Sequence, residues 1–141
     1  MKRTIKFRGY NKKNNKWIYG YYLVNRGQHF IVEDGIANPL NTWEDYLVES
    51  DTIGQFTGLL DKNGVEIYPN DIISSLNRRV VGYVVDSVRA YCYDVVWIKH
   101  PSDEKRWSLW EVVEIDNNGN IEVIGNTYDN PELINGKEKQ Q

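Results

Sequence analysis

The chain reads as an all-β protein, and three observations lead there. Ten Tyr and five Trp help bring the aromatic share to 13%, and such residues favour strands, where a large apolar body is buried and a polar tip stays available. Several short runs alternate apolar and polar side chains with the period of two that a half-buried strand requires. Between two β-forming runs stands Asp61-Lys62-Asn63-Gly64, a type I turn closed by a left-handed residue, the conformation that glycine adopts without steric cost. With 141 residues and 40% hydrophobic content, the chain has material for one domain or two small ones.

Residues 4–10 alternate Ile5 and Phe7 with Lys6 and Arg8, a strand expected to show its basic side to water. Residues 11–15 are rich in turn formers. Residues 16–24 put Trp17, Tyr19, Tyr21 and Leu23 on one face and Ile18, Gly20, Tyr22 and Val24 on the other. Neither face is polar, so both need cover: the core on one side, an adjacent subunit or a folded-over loop on the other. Asn25-Arg26-Gly27-Gln28 turns the chain into a return strand over 29–32. His29 has no Cys, Asp or second His at ligand spacing and reads as a packed or surface histidine. Residues 33–42 lack periodicity and separate two halves. In residues 43–47, Trp-Glu-Asp-Tyr-Leu, the alternatives are a helical turn capped by Thr42 and an aromatic plug; the plug is the expectation.

After the Asp61 turn, Val65 and Ile67 alternate with Glu66 and Tyr68, and Pro69-Asn70-Asp71 makes a second turn before Ile72 and Ile73 open a strand. A strand, a tight polar turn and a strand entered through Asp-Ile-Ile is how small barrels of the SH3 type commonly begin, a pattern that many β folds share. Asp61, Asn63 and Asp71 are expected to be solvated turn positions. A calcium loop is excluded, because the glycine stands at the wrong place and no Glu closes a twelve-residue loop. Strands follow over 79–85 and 90–98 with a bend at Asp86-Ser87, then a charged excursion over 101–106, a strand over 109–115, a turn over 116–120 containing Gly119, and a strand over 121–124. Asn130, Pro131 and Glu132 supply an N-cap residue, a proline for the first helical position and a first-turn acid, so a short helix begins there. Phe56, Leu59, Ile67, Ile72, Val84 and Val123 are the expected core of one unit over 52–126.

Charge is unevenly distributed. Residues 1–32 hold eight bases (Lys2, Arg3, Lys6, Arg8, Lys12, Lys13, Lys16 and Arg26) and no acid, a charge of +8; of 17 bases and 20 acids in all, nine bases and twenty acids remain, giving −11 and the net −3. This asymmetry suits either a polyanionic partner or basic-to-acidic contacts within or between copies. Cys92 is the single cysteine; it cannot form an intrachain disulfide and reads as a small buried apolar residue in a reducing compartment. No apolar run approaches the length of about 20 residues that spans a bilayer, so no membrane association and a cytoplasmic location are expected. The sequence lacks a phosphate loop, a dinucleotide glycine fingerprint, a G-x-S-x-G elbow and any His/Cys cluster, so neither enzymatic activity nor a cofactor or metal is expected. His100, in a loop before Pro101, has no orienting partner in sequence.

Three segments together resemble the YopX family of phage and prophage proteins: residues 5–10 (IKFRGY), 55–73 (QFTGLLDKNGVEIYPNDII) and 123–133 (VIGNTYDNPEL). The middle one is the most specific, matching the family pattern of Tyr/Phe-Thr-Gly-Leu, an Asp-Lys-Asn-Gly turn, Ile-Tyr and Asp-Ile/Val without insertion. It departs from that pattern at Pro69-Asn70, where the family commonly has Glu-Gly. The resemblance implies an N-terminal β subdomain, placed over 1–50, and an SH3-like barrel with a short C-terminal segment over 51–135; residues 136–141, GKEKQQ, read from their composition as a disordered tail. It brings no catalytic residues; Gly58, Asp61, Asn63, Gly64, Asp71, Gly119, Asn130 and Pro131 each look like a turn or cap requirement. The function expected is that of a phage-encoded accessory or assembly protein, in the bacterial host, acting through self-association or contacts with another phage or host protein. The alternative is a nucleic-acid-binding small barrel, because Lys6, Arg8, Lys12, Lys13 and Lys16 beside Trp17, Tyr19 and Tyr21 combine phosphate neutralisation with stacking surfaces. Against it stands a sequence pI near 5.4.

Overall fold

A computed structural model describes residues 4–33, 40–75, 79–87, 92–115 and 120–139. It divides into two compact units, Met1–Phe56 and Thr57–Gln141. Both are built on antiparallel sheets, so the molecule is mainly β.

In the first unit, β1 (Phe7–Asn11), β2 (Lys16–Asn25), β3 (Gln28–Val32) and the two-residue β4 (Gly54–Gln55) form a sheet in the order β3-β2-β1-β4. The β1–β2 turn carries Asn15 at φ 51°, and the β2–β3 turn carries Arg26 at 52° and Gly27 at 75°, the positive dihedrals that tight hairpins require. One sheet face packs Ile18 and Ile31 against Val48, with Phe7, Tyr22 and Ile53 alongside. The segment supplying Val48 is tied down by Asn11, a fully buried side chain whose Nδ2 donates to the carbonyls of Glu44 (3.0 Å) and Leu47 (2.7 Å). Trp43–Asp45 is a 3-10 turn capped by Thr42, whose N–H donates to Asp45 Oδ2 at 2.8 Å. The helical turn thus replaces the expected aromatic plug: the reciprocal Thr42/Asp45 cap fixes the turn, and Trp43 stays 56% exposed with one edge toward Phe30.

In the second unit the sheet order is β8-β7-β6-β5-β9, from β5 (Asp71–Ser75), β6 (Val80–Asp86), β7 (Tyr93–Lys99), β8 (Arg106–Ser108) and β9 (Glu122–Asn126). Its core is Ile67, Ile73, Val84, Val95, Leu109, Val112 and Ile121, with Leu59 and Val123 packed against it. Ile72 is buried outside that cluster, and Phe56 falls in the first unit. The Asp61 turn forms as expected, with Gly64 at φ 79° and its N–H on the Asp61 carbonyl. Its flanks pair through a single Leu60–Glu66 bridge and the bonds Asp61 N–H to Val65 O and Ile67 N–H to Leu59 O. Asp61 and Asp71, however, are buried, not solvated. Asp61 Oδ1 accepts from the N–H groups of Asn63 (2.8 Å) and Val65 (2.9 Å), and Oδ2 accepts from Val123 N–H at 3.0 Å. Asp71 Oδ2 accepts from Tyr68 N–H at 2.8 Å. At the departure from the family pattern, Asn70 takes φ 73°, a left-handed position open to Asn as well as Gly.

Residues 109–115 are a helix, α1 (Leu109–Ile115), not the expected strand. Ser108 and Glu111 form a capping box: Ser108 Oγ accepts from Glu111 N–H (3.1 Å) and Glu111 Oε2 from Ser108 N–H (3.2 Å). Leu109 and Val112 then face the core at helical spacing. A second helix, α2 (Pro131–Lys139), begins at Pro131 as expected and runs into the segment read as a tail. Asn130 Oδ1, though, accepts from Asn126 N–H (3.1 Å) and so points back toward β9. Cys92 is exposed, which overturns its reading as a buried residue. The turn at 116–119, with Gly119, lies outside the described residues.

Candidate interaction surface

The register of the first sheet decides which of the basic and aromatic side chains share a face. Arg8 pairs with Tyr19 and Tyr10 with Trp17, while Tyr21 pairs with Val32 and Leu23 with Phe30. Paired residues point to the same side, so Arg8, Tyr10, Trp17, Tyr19, Tyr21, Leu23 and Phe30 lie on the face opposite Ile18 and Ile31.

Along this face the character changes. At one end Arg8 is only 5% exposed, its guanidinium 4.4 Å from the Trp17 ring centroid, a cation–π contact. Tyr10 meets Trp17 edge-on at 5.5 Å. The expectation that Arg8 faces water is therefore wrong: it lies next to β2, whose large aromatic side chains cover it. Toward the other end Tyr21 and Leu23 are 56% and 44% exposed, and Tyr19 is exposed too, while Val24, paired with His29, points to the other face. β2 outruns β1 here, since its pairing with β1 stops at Gly20 and residues 21–25 pair with β3. The result is a two-stranded ribbon ending at Arg26, apolar along its outer side.

The lysines divide in the same way. Lys13 Nζ lies 3.0 Å from Asp45 and 4.0 Å from Glu44, and Lys12 Nζ lies 3.7 Å from Glu49. Hydrogen bonds from the Asn14 side chain, the Thr42 backbone and Lys13 hold the Asp45 carboxyl well below the usual carboxylate range. Part of the N-terminal positive charge is thus answered by acids of the same unit. Lys16 is exposed and Lys6 half-buried. Of the residues expected to form an interaction surface, Arg8 and Trp17 are brought together, Lys12 and Lys13 are drawn into ion pairs, and Tyr19, Tyr21 and Lys16 remain outward. Leu23 belongs to the same surface, and Arg26 is exposed at the turn that ends the ribbon; the apolar character of both faces of residues 16–24 was the signal for Leu23. The turn residues stand apart in the second unit: Gly58 at φ 86°, Gly64, Asn63, and the buried Asp61 and Asp71.

Among the described residues, no group of three His, Cys, Asp or Glu side chains could hold a metal ion, and no helix is long and apolar enough to cross a membrane. Residues 6–135 match the family model described as YopX protein. The crystal structure of protein EF1440 from Enterococcus faecalis is similar to this chain, with 24% identity, a TM-score of 0.50, and coverage of 93% of this chain and 98% of that one. At that identity the likeness is one of fold. No curated protein matches the chain.

Proposed function

The chain belongs to the YopX family, and from that premise we propose that it is a phage- or prophage-encoded accessory or assembly protein, non-enzymatic, whose N-terminal sheet makes protein contacts, including contacts between copies. The observation that carries this reading is the exposed outer side of the β2–β3 ribbon, with Tyr21 and Leu23 in a row. Contiguous apolar side chains at a surface leave a cost that a partner removes, and a two-stranded ribbon is marginal in water by itself. The nucleic-acid reading is less well supported because three of its five cations already have partners within the unit: Arg8 on Trp17, Lys12 on Glu49 and Lys13 on Asp45.

The test is the mass in solution by light scattering over a salt series, with and without single-stranded and duplex DNA. The reading expects a species larger than a monomer, or capture of a defined protein partner, and no DNA complex. A monomer that binds DNA with an affinity falling steeply with salt, a log–log slope near −4 for four or five phosphate contacts on duplex, would replace this reading with the nucleic-acid one.

A further inference from the structure

Resting on the reading that copies associate, we infer that the contact is head-to-tail: the ribbon of one copy docks on the outward face of α1 of another. Two copies of the ribbon make poor mutual partners, because residues 1–32 carry no acid, so a ribbon-to-ribbon contact offers Arg26 no opposite charge. The receiving surface should be both apolar and acidic, and α1 has that character. Leu109 and Val112 point into the core, leaving Trp110 61% exposed, with Glu111 and Glu114 also outward. Trp110 and Glu114 are four residues apart and therefore adjacent on one helix face. Glu114 also stands in the last turn, where the helix end is itself partially negative and the turn contains no basic residue. An incoming Arg26 would supply the missing positive charge, while Tyr21 and Leu23 cover Trp110. Such a contact joins different patches on the two copies, so it propagates into a closed ring or an open chain.

Complementation tests this directly. Leu23→Asp disables the ribbon and Trp110→Ala disables the helix face; both positions are exposed, and circular dichroism checks that each variant folds. Each variant alone should be monomeric at concentrations where the unaltered chain associates, with apparent affinity reduced at least tenfold. Mixed in equal amounts they should form a 1:1 dimer, since one intact ribbon still meets one intact helix face. In a second arm, Arg26→Glu and Glu114→Arg should each weaken association, and the doubly reversed chain should recover it. If the unaltered chain associates but the mixture stays monomeric and the charge reversal gives no recovery, the head-to-tail contact is refuted while self-association stands. An unaltered chain that is monomeric throughout refutes both.

Discussion

Replacing Asp61 by Ala removes one carboxylate that accepts three backbone hydrogen bonds, two from its own turn and one from Val123 on β9. Hydrogen bonds to charged groups contribute about 1.5–3 kcal/mol each, and buried donors left unpaired add their own cost. Asn63 is exposed, so water replaces part of its bond, whereas Val123 N–H lies in a partly buried setting and Val65 N–H closes the turn. The three contributions together give a loss of roughly 3–5 kcal/mol, a large part of a typical stability of about 5–15 kcal/mol. Asp61→Asn is the informative control: Oδ1 survives, but an amide donor now faces Val123 N–H, for a loss of about 2 kcal/mol. Urea unfolding followed by tryptophan fluorescence measures both. A loss below about 1 kcal/mol for Asp61→Ala, with unchanged denaturant slope, would refute the claim that this side chain joins the turn to β9.

Gly64 at φ 79° has open space where a side chain would go, so Gly64→Val should cost only the backbone term, roughly 1–2 kcal/mol, in the same unfolding assay, and Gly64→Asn clearly less. Gly20 differs: at φ 154° an added Cβ would lie 2.0 Å from the Val32 carbonyl oxygen, so Gly20→Ala should disrupt β2–β3 pairing outright, read as loss of amide protection in that ribbon. Ser108→Ala should cost about 1 kcal/mol through loss of the α1 cap, and Ser108→Asp should restore most of it. Asp45, with its carboxyl held below the usual range, stabilises the fold fully above the unfolded carboxylate value. That contribution fades as acid takes the pH below about 4 and through the folded value. Asp45→Asn should therefore flatten the acid limb of the stability profile, and an unchanged limb would count against the cap.

The fold was legible where its determinants are local. The Asp61-to-Gly64 turn and Pro131 at a helix start are short-range signals, and the structure contains both. Residues 109–115 were ambiguous because Leu-Trp-Glu-Val-Val-Glu-Ile suits either period; the deciding signal was Ser108 three residues before Glu111, a capping box visible in the sequence. The burial of Asp61 was not legible, since its third partner lies 62 residues away. The site was legible as a segment but not as a surface. Alternation along 4–10 assigned Arg8 to water, and only the pairing of β1 with β2 shows that the aromatics of the neighbouring strand cover it. Likewise the acids that engage Lys12 and Lys13 come from residues 44–49, beyond the reach of any local pattern.

The central claim is that the outer side of the β2–β3 ribbon is covered by protein, and amide hydrogen exchange across a protein concentration series tests it most directly. The amides of residues 21–32 should gain protection beyond that of the β2–β3 ladder as concentration rises, while the amides of β5, inside the second sheet, keep the same rates throughout. Leu23→Asp should abolish the concentration dependence without changing the dilute rates of β5. Exchange over residues 21–32 that is the same at every concentration would contradict the account.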